Sequence, residues 1–212
     1  MITATDLEVR AGARTLLLAE GPALRIQPGD RIGLVGRNGA GKTTTMRILA
    51  GEALPYAGTV VRNGEVGYLP QDPREGDLDV LARDRVLSAR GLDTLLADLE
   101  KQQVLMAELV DATEQDKAIR RYGNLEERFA ALGGYAAESE AGRICASLGL
   151  AERVLTQPLR TLSGGQRRRV ELARILFAAS DSGSGSDTTL LLDEPTNHLD
   201  ADSIGWLRDF LK

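Results

Sequence analysis

Residues 36–43 read GRNGAGKT and fit the pattern G-x-x-x-x-G-K-[ST]. Glycines at 36, 39 and 41 are poorly suited to the interior of a helix or strand, so the chain must turn there. Behind the turn, KTTTMRILAG reads as a helix beginning near Gly41 and ending at Gly51, a residue suited to a left-handed C-cap. In front of it, RIGLV reads as a buried strand. A strand, a glycine turn and a helix in that order commit the chain to the α/β class. They also specify chemistry. Gly36, Gly39 and Gly41 let backbone N–H groups wrap phosphate oxygens, and the helix start adds positive potential. Lys42 can neutralise β- and γ-phosphates, and the Thr43 hydroxyl can ligate Mg²⁺. The bland alternative is a glycine turn capping an ordinary βα unit, a match expected by chance in roughly one per cent of chains of this length.

A second segment, TLLLDEP, is an apolar strand run ending in Asp193 and Glu194. Ligands of open α/β folds bind at the carboxyl edge of the sheet, so Asp193 is placed to hold Mg²⁺ and Glu194 to orient or deprotonate an attacking water. By itself an acidic pair after a strand is an ordinary solvated turn; beside a phosphate loop it becomes a catalytic candidate. Gln71 follows VGYLP at another strand end, where a neutral amide can serve both the metal and the water.

TLSGGQRRRVELARILF offers a second anion site. Ser163 and Gln166 have capping-box spacing, and Gly164 and Gly165 leave the first backbone N–H groups of the following helix open to a phosphate. The arginines 167–169 point around much of that helix, so at least one is expected in solvent.

Elsewhere, ITATDLEV, ALRIQ with its Pro28-Gly29-Asp30 turn, and GTVVRNGEVGYLP read as strands, the last a hairpin about Asn63-Gly64. From Leu78 to Leu155 the pattern is helical. Leu92, Leu95, Leu96, Leu99, Met106, Leu109 and Val110 form one stripe, and Ile119, Tyr122, Leu125, Phe129 and Leu132 another, on either side of the polar DATEQDK. They predict a helical hairpin over 92–132 whose stripes are core packing. AASDSGSGSDTT predicts a flexible loop over 179–189, and SIGWLRDFLK a short amphipathic helix. Cys145, the single cysteine, sits among apolar neighbours and reads as a small buried hydrophobe. His198, the single histidine, reads as a turn-packing residue at least as readily as a catalytic one. A net charge of −5 argues against a generally nucleic-acid-coating surface. No apolar run approaches the roughly 20 residues that span a bilayer, and the start lacks a signal core, so a cytoplasmic location is expected.

In order, GRNGAGKTT, YLPQD, LSGGQRRR and LLLDEPTNHLD resemble the Walker A, Q-loop, signature, and Walker B with D-loop elements of the ATP-binding-cassette ATPases. The wording NHLD, the hairpin before the signature, and the stretch leading into the signature resemble the ABC-F subfamily in particular. This resemblance implies a P-loop NTPase of ABC type: a mixed sheet core, an antiparallel β subdomain, and a helical subdomain (78–160) carrying an arm-like hairpin (92–132). It implies ATP and Mg²⁺ as cofactors. ATP would be bound by Gly36, Asn38, Gly39, Ala40, Gly41, Lys42, Thr43 and Thr44, metal by Thr43, Gln71 and Asp193, and catalysis would use Glu194 and Gln71. Ser163, Gly164, Gly165 and Gln166 would engage an ATP held by a second ABC ATPase domain, fused or homodimeric. Partners implied are the ribosome, rRNA or tRNA through the hairpin, in a translation or antibiotic-resistance role, without membrane insertion. A transporter ATPase subunit and a nucleotide-binding module without turnover are the competing readings. Three features depart from the family pattern. No aromatic residue stands near Ala11 for stacking on adenine, and the hairpin carries more acidic than basic residues. The family's switch histidine and second ATPase domain belong to sequence beyond Lys212, so 1–212 is expected to be a C-terminally incomplete domain that turns over slowly or not at all alone.

Overall fold

The computed structural model describes residues 1–21, 24–71, 77–109, 111–180 and 188–212. They fall into two compact units, 1–74 with 178–197 and 75–177 with 198–212.

In the first unit, alternation along β1 (Ile2–Ala11) buries Ile2, Ala4, Leu7 and Val9. The step from Ala4 to Leu7 breaks the two-residue period. A bulge between Thr5 and Glu8 against β4 (Ala57–Arg62), with Asp6 at φ 51°, absorbs the odd residue and returns Leu7 to the buried face. β1 also pairs antiparallel with β2 (Arg14–Ala19) and β3 (Leu24–Ile26). Against this sheet α1 (Lys42–Ala50) packs Met46, Ile48 and Leu49, joined by Tyr68 and Leu191. The expected C-cap is present: Gly51, at φ 88°, donates its N–H to the carbonyls of Arg47 and Ile48. Arg62 adds a cation there, donating Nε to Leu49 O at 2.7 Å and Nη2 to Ile48 O, which complements the negative end of the helix.

β5 (Val66–Leu69) and β6 (Thr189–Leu192) pair in parallel, Val66 with Thr189 through Leu69 with Leu192. Two strand expectations fail in this unit. Asn63-Gly64 does not close a hairpin, because β4 pairs with β1 and β5 with β6; the Asn63 N–H goes to Met1 O at 2.8 Å instead. RIGLV enters no ladder among the described residues, and Ile32, Leu34 and Val35 are 56%, 50% and 93% exposed. Both errors share one cause: β-propensity reports how a residue packs once paired, whereas the partner is chosen by distant sequence.

The second unit is helical: α2 (Ala82–Leu87), α3 (Leu92–Glu108), α4 (Ala112–Ala131), α5 (Gly134–Ser147), α6 (Glu152–Leu155), α7 (Gly164–Ala179) and α8 (Ala201–Phe210). Leu87, Leu92, Phe129, Leu148, Leu172, Leu176 and Phe177 are fully buried. Arginines join the helices. Arg90 donates Nη2 and Nε to Phe177 O at 2.7 and 3.1 Å and lies over the Phe177 ring. Arg85 on α2 and Arg174 pair with Glu171 on α7. Burial pushes the Glu171 carboxyl up, but the bond from Arg85 and the charges of Arg174 and Arg85 outweigh it and hold the group below its usual range.

The hairpin of α3 and α4 forms, with one change. DATEQDK is not a break: Asp111 accepts the N–H groups of Thr113 and Glu114 at 2.9 and 3.0 Å, so the polar run is the first turns of α4. Leu92, Leu95, Leu99 and Phe129 are buried, Leu96, Met106, Leu109, Tyr122 and Leu125 partly so. Ile119 and Leu132 are 47% and 53% exposed, so the second stripe is only partly covered. Val110, and positions 181–187 of the expected loop, lie outside the described residues.

Candidate functional site

Lys42 and the glycine loop stand together at the start of α1. Among the described residues no side chain caps this helix, which leaves its first N–H groups for an anion. Gly41 takes the N-cap position at φ 94°, and a Cβ there would lie 2.9 Å from Leu16 Cδ1. Glycine is therefore required twice, by conformation and by space. The Lys42 ammonium donates to Gly36 O at 2.8 Å and Arg37 O at 3.1 Å, folded over its own loop. Asn38, Gly39 and Ala40 lie exposed in that loop, with the Ala40 N–H on Arg37 O, and Thr43 and Thr44 follow in the first turn of α1.

The β5–β6 pair brings Gln71 and the acidic residues to one end of the same unit. Its register sets Leu192 beside Leu69, and the Asp193 N–H continues the ladder by donating to Leu69 O at 3.0 Å. Asp193 is 5% exposed at that strand end, while Glu194 and Gln71 are exposed. Packing of Leu191 and Tyr68 against Met46, Ile48 and Leu49 sets the strand pair on α1. Glu194 has φ 47°, unusual for a residue with a side chain and more so before a proline. Its turn is closed by the Asn197 N–H on Glu194 O at 3.2 Å, and Asn197 Nδ2 donates to Glu194 Oε2 at 2.7 Å. Sequence reasoning missed Asn197; its signal was an asparagine three residues after the acid across a proline turn.

The donor set fits Mg²⁺. Thr43 and Asp193 offer a hydroxyl and a carboxylate, and Mg²⁺ is ordinarily held by one or two such oxygens together with substrate phosphates. Among the described residues no three His, Cys, Asp or Glu side chains cluster as a self-sufficient metal cage.

Ser163 through Gln166 lie in the second unit. The capping box is complete: Gln166 Oε1 accepts the Ser163 N–H at 2.9 Å, and Ser163 Oγ accepts the Gln166 N–H at 3.2 Å. Gly164 faces open space, but a Cβ on Gly165 would lie 3.3 Å from His198 Cβ. His198, at φ 69°, packs against that helix start, the turn-packing role open to it in the sequence. Of the arginines 167–169, Arg168 is 4% exposed, while Arg167 and Arg169 are partly exposed. Arg169 Nη1 donates to Leu148 O and Gly149 O, capping the end of α5. Asp200 accepts the Ser203 N–H at 2.8 Å, and these Ser203 bonds, with the charge of Arg169, hold its carboxyl below the usual range.

A sequence family described as ABC transporter matches residues 19–197. The tylosin resistance ATP-binding protein TlrC of Streptomyces fradiae is 37% identical over 195 residues, covering 89% of this chain and 34% of that protein. The energy-dependent translational throttle protein EttA of Haemophilus influenzae is 36% identical, covering 89% and 32%. ABC transporter F family member 4 of Arabidopsis thaliana is 35% identical, covering 99% and 28%. The chain thus spans about a third of the length of these relatives. Among solved structures, the ATP-binding subunit of an ABC transporter superposes with a TM-score of 0.63 at 18% identity, covering 100% of this chain and 73% of that one. A dimeric ATP-binding cassette in a post-hydrolysis state bound to ADP and Pi superposes with a TM-score of 0.61 at 18% identity, covering 100% and 81%. Among the described residues no helix is long and apolar enough to cross a membrane.

Proposed function

Because the chain belongs to the ABC transporter family of ATP-binding ATPases, we propose that it is one nucleotide-binding domain of an ABC-F protein that uses ATP to act on the ribosome, in translation or in resistance to ribosome-targeting antibiotics. The observation that carries this reading is the α3–α4 hairpin, set between the β5 strand end and the signature helix of a chain whose relatives include TlrC, EttA and an F family member. The hairpin is the ribosome-facing element on this reading.

The open helix start and Lys42 bind the triphosphate, with Gly36, Gly39 and Gly41 keeping the backbone close to it. Thr43, Asp193 and Gln71 would hold Mg²⁺, which supplies positive charge to the phosphates when bound. Glu194 orients the attacking water and accepts its proton. Ser163, Gly164, Gly165 and Gln166 serve an ATP held by a second cassette domain, an assembly supported by the dimeric state of a solved relative in fold. The box that Ser163 and Gln166 form uses up one N–H at each residue and leaves those of Gly164 and Gly165 for that phosphate.

Two experiments test the reading. Co-sedimentation of the full-length protein with ribosomes should be lost when 92–132 is replaced by a short linker; unchanged sedimentation and translation would sink the arm assignment. Pairing with a second cassette domain should raise ATP turnover, and Ser163→Arg should abolish that gain while ATP binding by this domain persists. Fast turnover by residues 1–212 alone, insensitive to Ser163→Arg, would overturn the paired-site mechanism.

A further inference from the structure

We propose that Asn197 is the positioning residue of the general base: its side-chain amide holds the Glu194 carboxylate in the orientation from which it acts on water. The inference rests on the assignment of Glu194 as that base. Three observations converge. Glu194 is at φ 47° in front of Pro195, a backbone state that a side-chain-bearing residue keeps only when its surroundings enforce it. The Asn197 N–H closes the turn on Glu194 O at 3.2 Å. Asn197 Nδ2 then reaches the carboxylate itself, at 2.7 Å from Oε2. One residue thereby fixes both ends of Glu194, its carbonyl and its reacting group.

The chemistry of the donor matters. Glu194 is exposed, and a glutamate side chain there loses rotamer freedom when it is held in one position for a water. A charged donor such as lysine would hold the carboxylate but oppose its taking up a proton. A neutral amide makes a strong bond to the carboxylate and leaves its charge in place. Asparagine also has the right reach. Serine at 197 would end one bond short of Nδ2, and aspartate would set a second carboxylate against the first.

The test is steady-state ATP hydrolysis by the assembled full-length protein, with Glu194→Gln as reference; the rate lost in that variant defines this site's share. Asn197→Ala and Asn197→Ser should each lower that share of kcat about tenfold, with KM for ATP changed less than twofold. Asn197→Asp should cost about a hundredfold, and Asn197→Gln, which keeps the amide, should recover part of the rate. The backbone bond that closes the turn survives each substitution, so a purely structural role would move melting temperature, or KM and kcat together, without this split. If Glu194→Gln hydrolyses at the wild-type rate, the assignment of the base fails. If Glu194→Gln removes activity while Asn197→Ala leaves kcat unchanged or raises it, the positioning role of Asn197 fails.

Discussion

Ser163 and Gln166 each accept the other's backbone N–H, at 3.2 and 2.9 Å, so two N–H groups at the start of the signature helix are satisfied by its own side chains. Ser163→Ala should therefore destabilise the protein by about 1 kcal/mol, the usual worth of an N-cap. Chemical denaturation measures this; an unchanged midpoint would mean the box contributes nothing in solution.

Lys42 presents the opposite case, a cation held against the carbonyls of Gly36 and Arg37 at a helix start no side chain caps. Lys42→Ala should leave the fold intact and weaken ATP binding by about tenfold or more, one charge-assisted contact corresponding to about 1.5–3 kcal/mol. Calorimetry showing equal affinity would remove the loop from the phosphate site.

Gly41→Ala should destabilise by at least about 1–2 kcal/mol, the cost of a left-handed backbone for a residue with a Cβ. The added methyl would also meet Leu16 at 2.9 Å. Combining it with Leu16→Ala should remove the contacts with Cδ1 and Cγ but leave Leu16 Cβ at 3.0 Å and the left-handed conformation, so only partial recovery relative to Leu16→Ala alone is expected. Full recovery would show that sterics alone demand the glycine.

These residues show what the sequence could and could not disclose. Gly41, Gly51, Ser163 and Gln166 act within one turn of themselves, so their spacing was enough to place the helix starts and the C-cap. The strands were harder. RIGLV has the composition of a buried strand yet forms no ladder among the described residues, and Asn63-Gly64 has hairpin chemistry yet joins strands of different sheets, because pairing partners lie far along the chain. Leu16 on Gly41 and His198 on Gly165 were illegible for the same reason: each contact spans more of the chain than a local pattern records. Asn197 is the instructive miss, since the glutamate it binds is only three residues away.

Cys145 provides a pH test. Burial pushes its thiol up to about 12, whereas an unfolded cysteine ionises near about 8.5. Between those values the folded state holds the proton and the unfolded state has lost it, so stability falls as pH rises through that window, by at most about 1.4 kcal/mol per pH unit. Below the window this contribution is fully present. Cys145→Ala should flatten the alkaline limb of the stability profile, and iodoacetamide at pH 8 should label the thiol only after unfolding. Rapid labelling of the native protein would contradict its burial.

The parallel register of β5 and β6 ties two loops to one ruler. Leu69 faces Leu192, so Gln71 and Asp193 leave the sheet at a separation counted in ladder rungs. A single-residue insertion inside Thr189–Leu192 would turn Asp193 to the other side of the strand and shift it by one rung, with every functional residue still in the sequence. Such a variant, with Gln71, Asp193 and Glu194 all retained, is expected to lose the arrangement of these residues at the strand ends. For this chain, the number of residues in the paired strands matters to the candidate site as much as the identity of the residues at their ends.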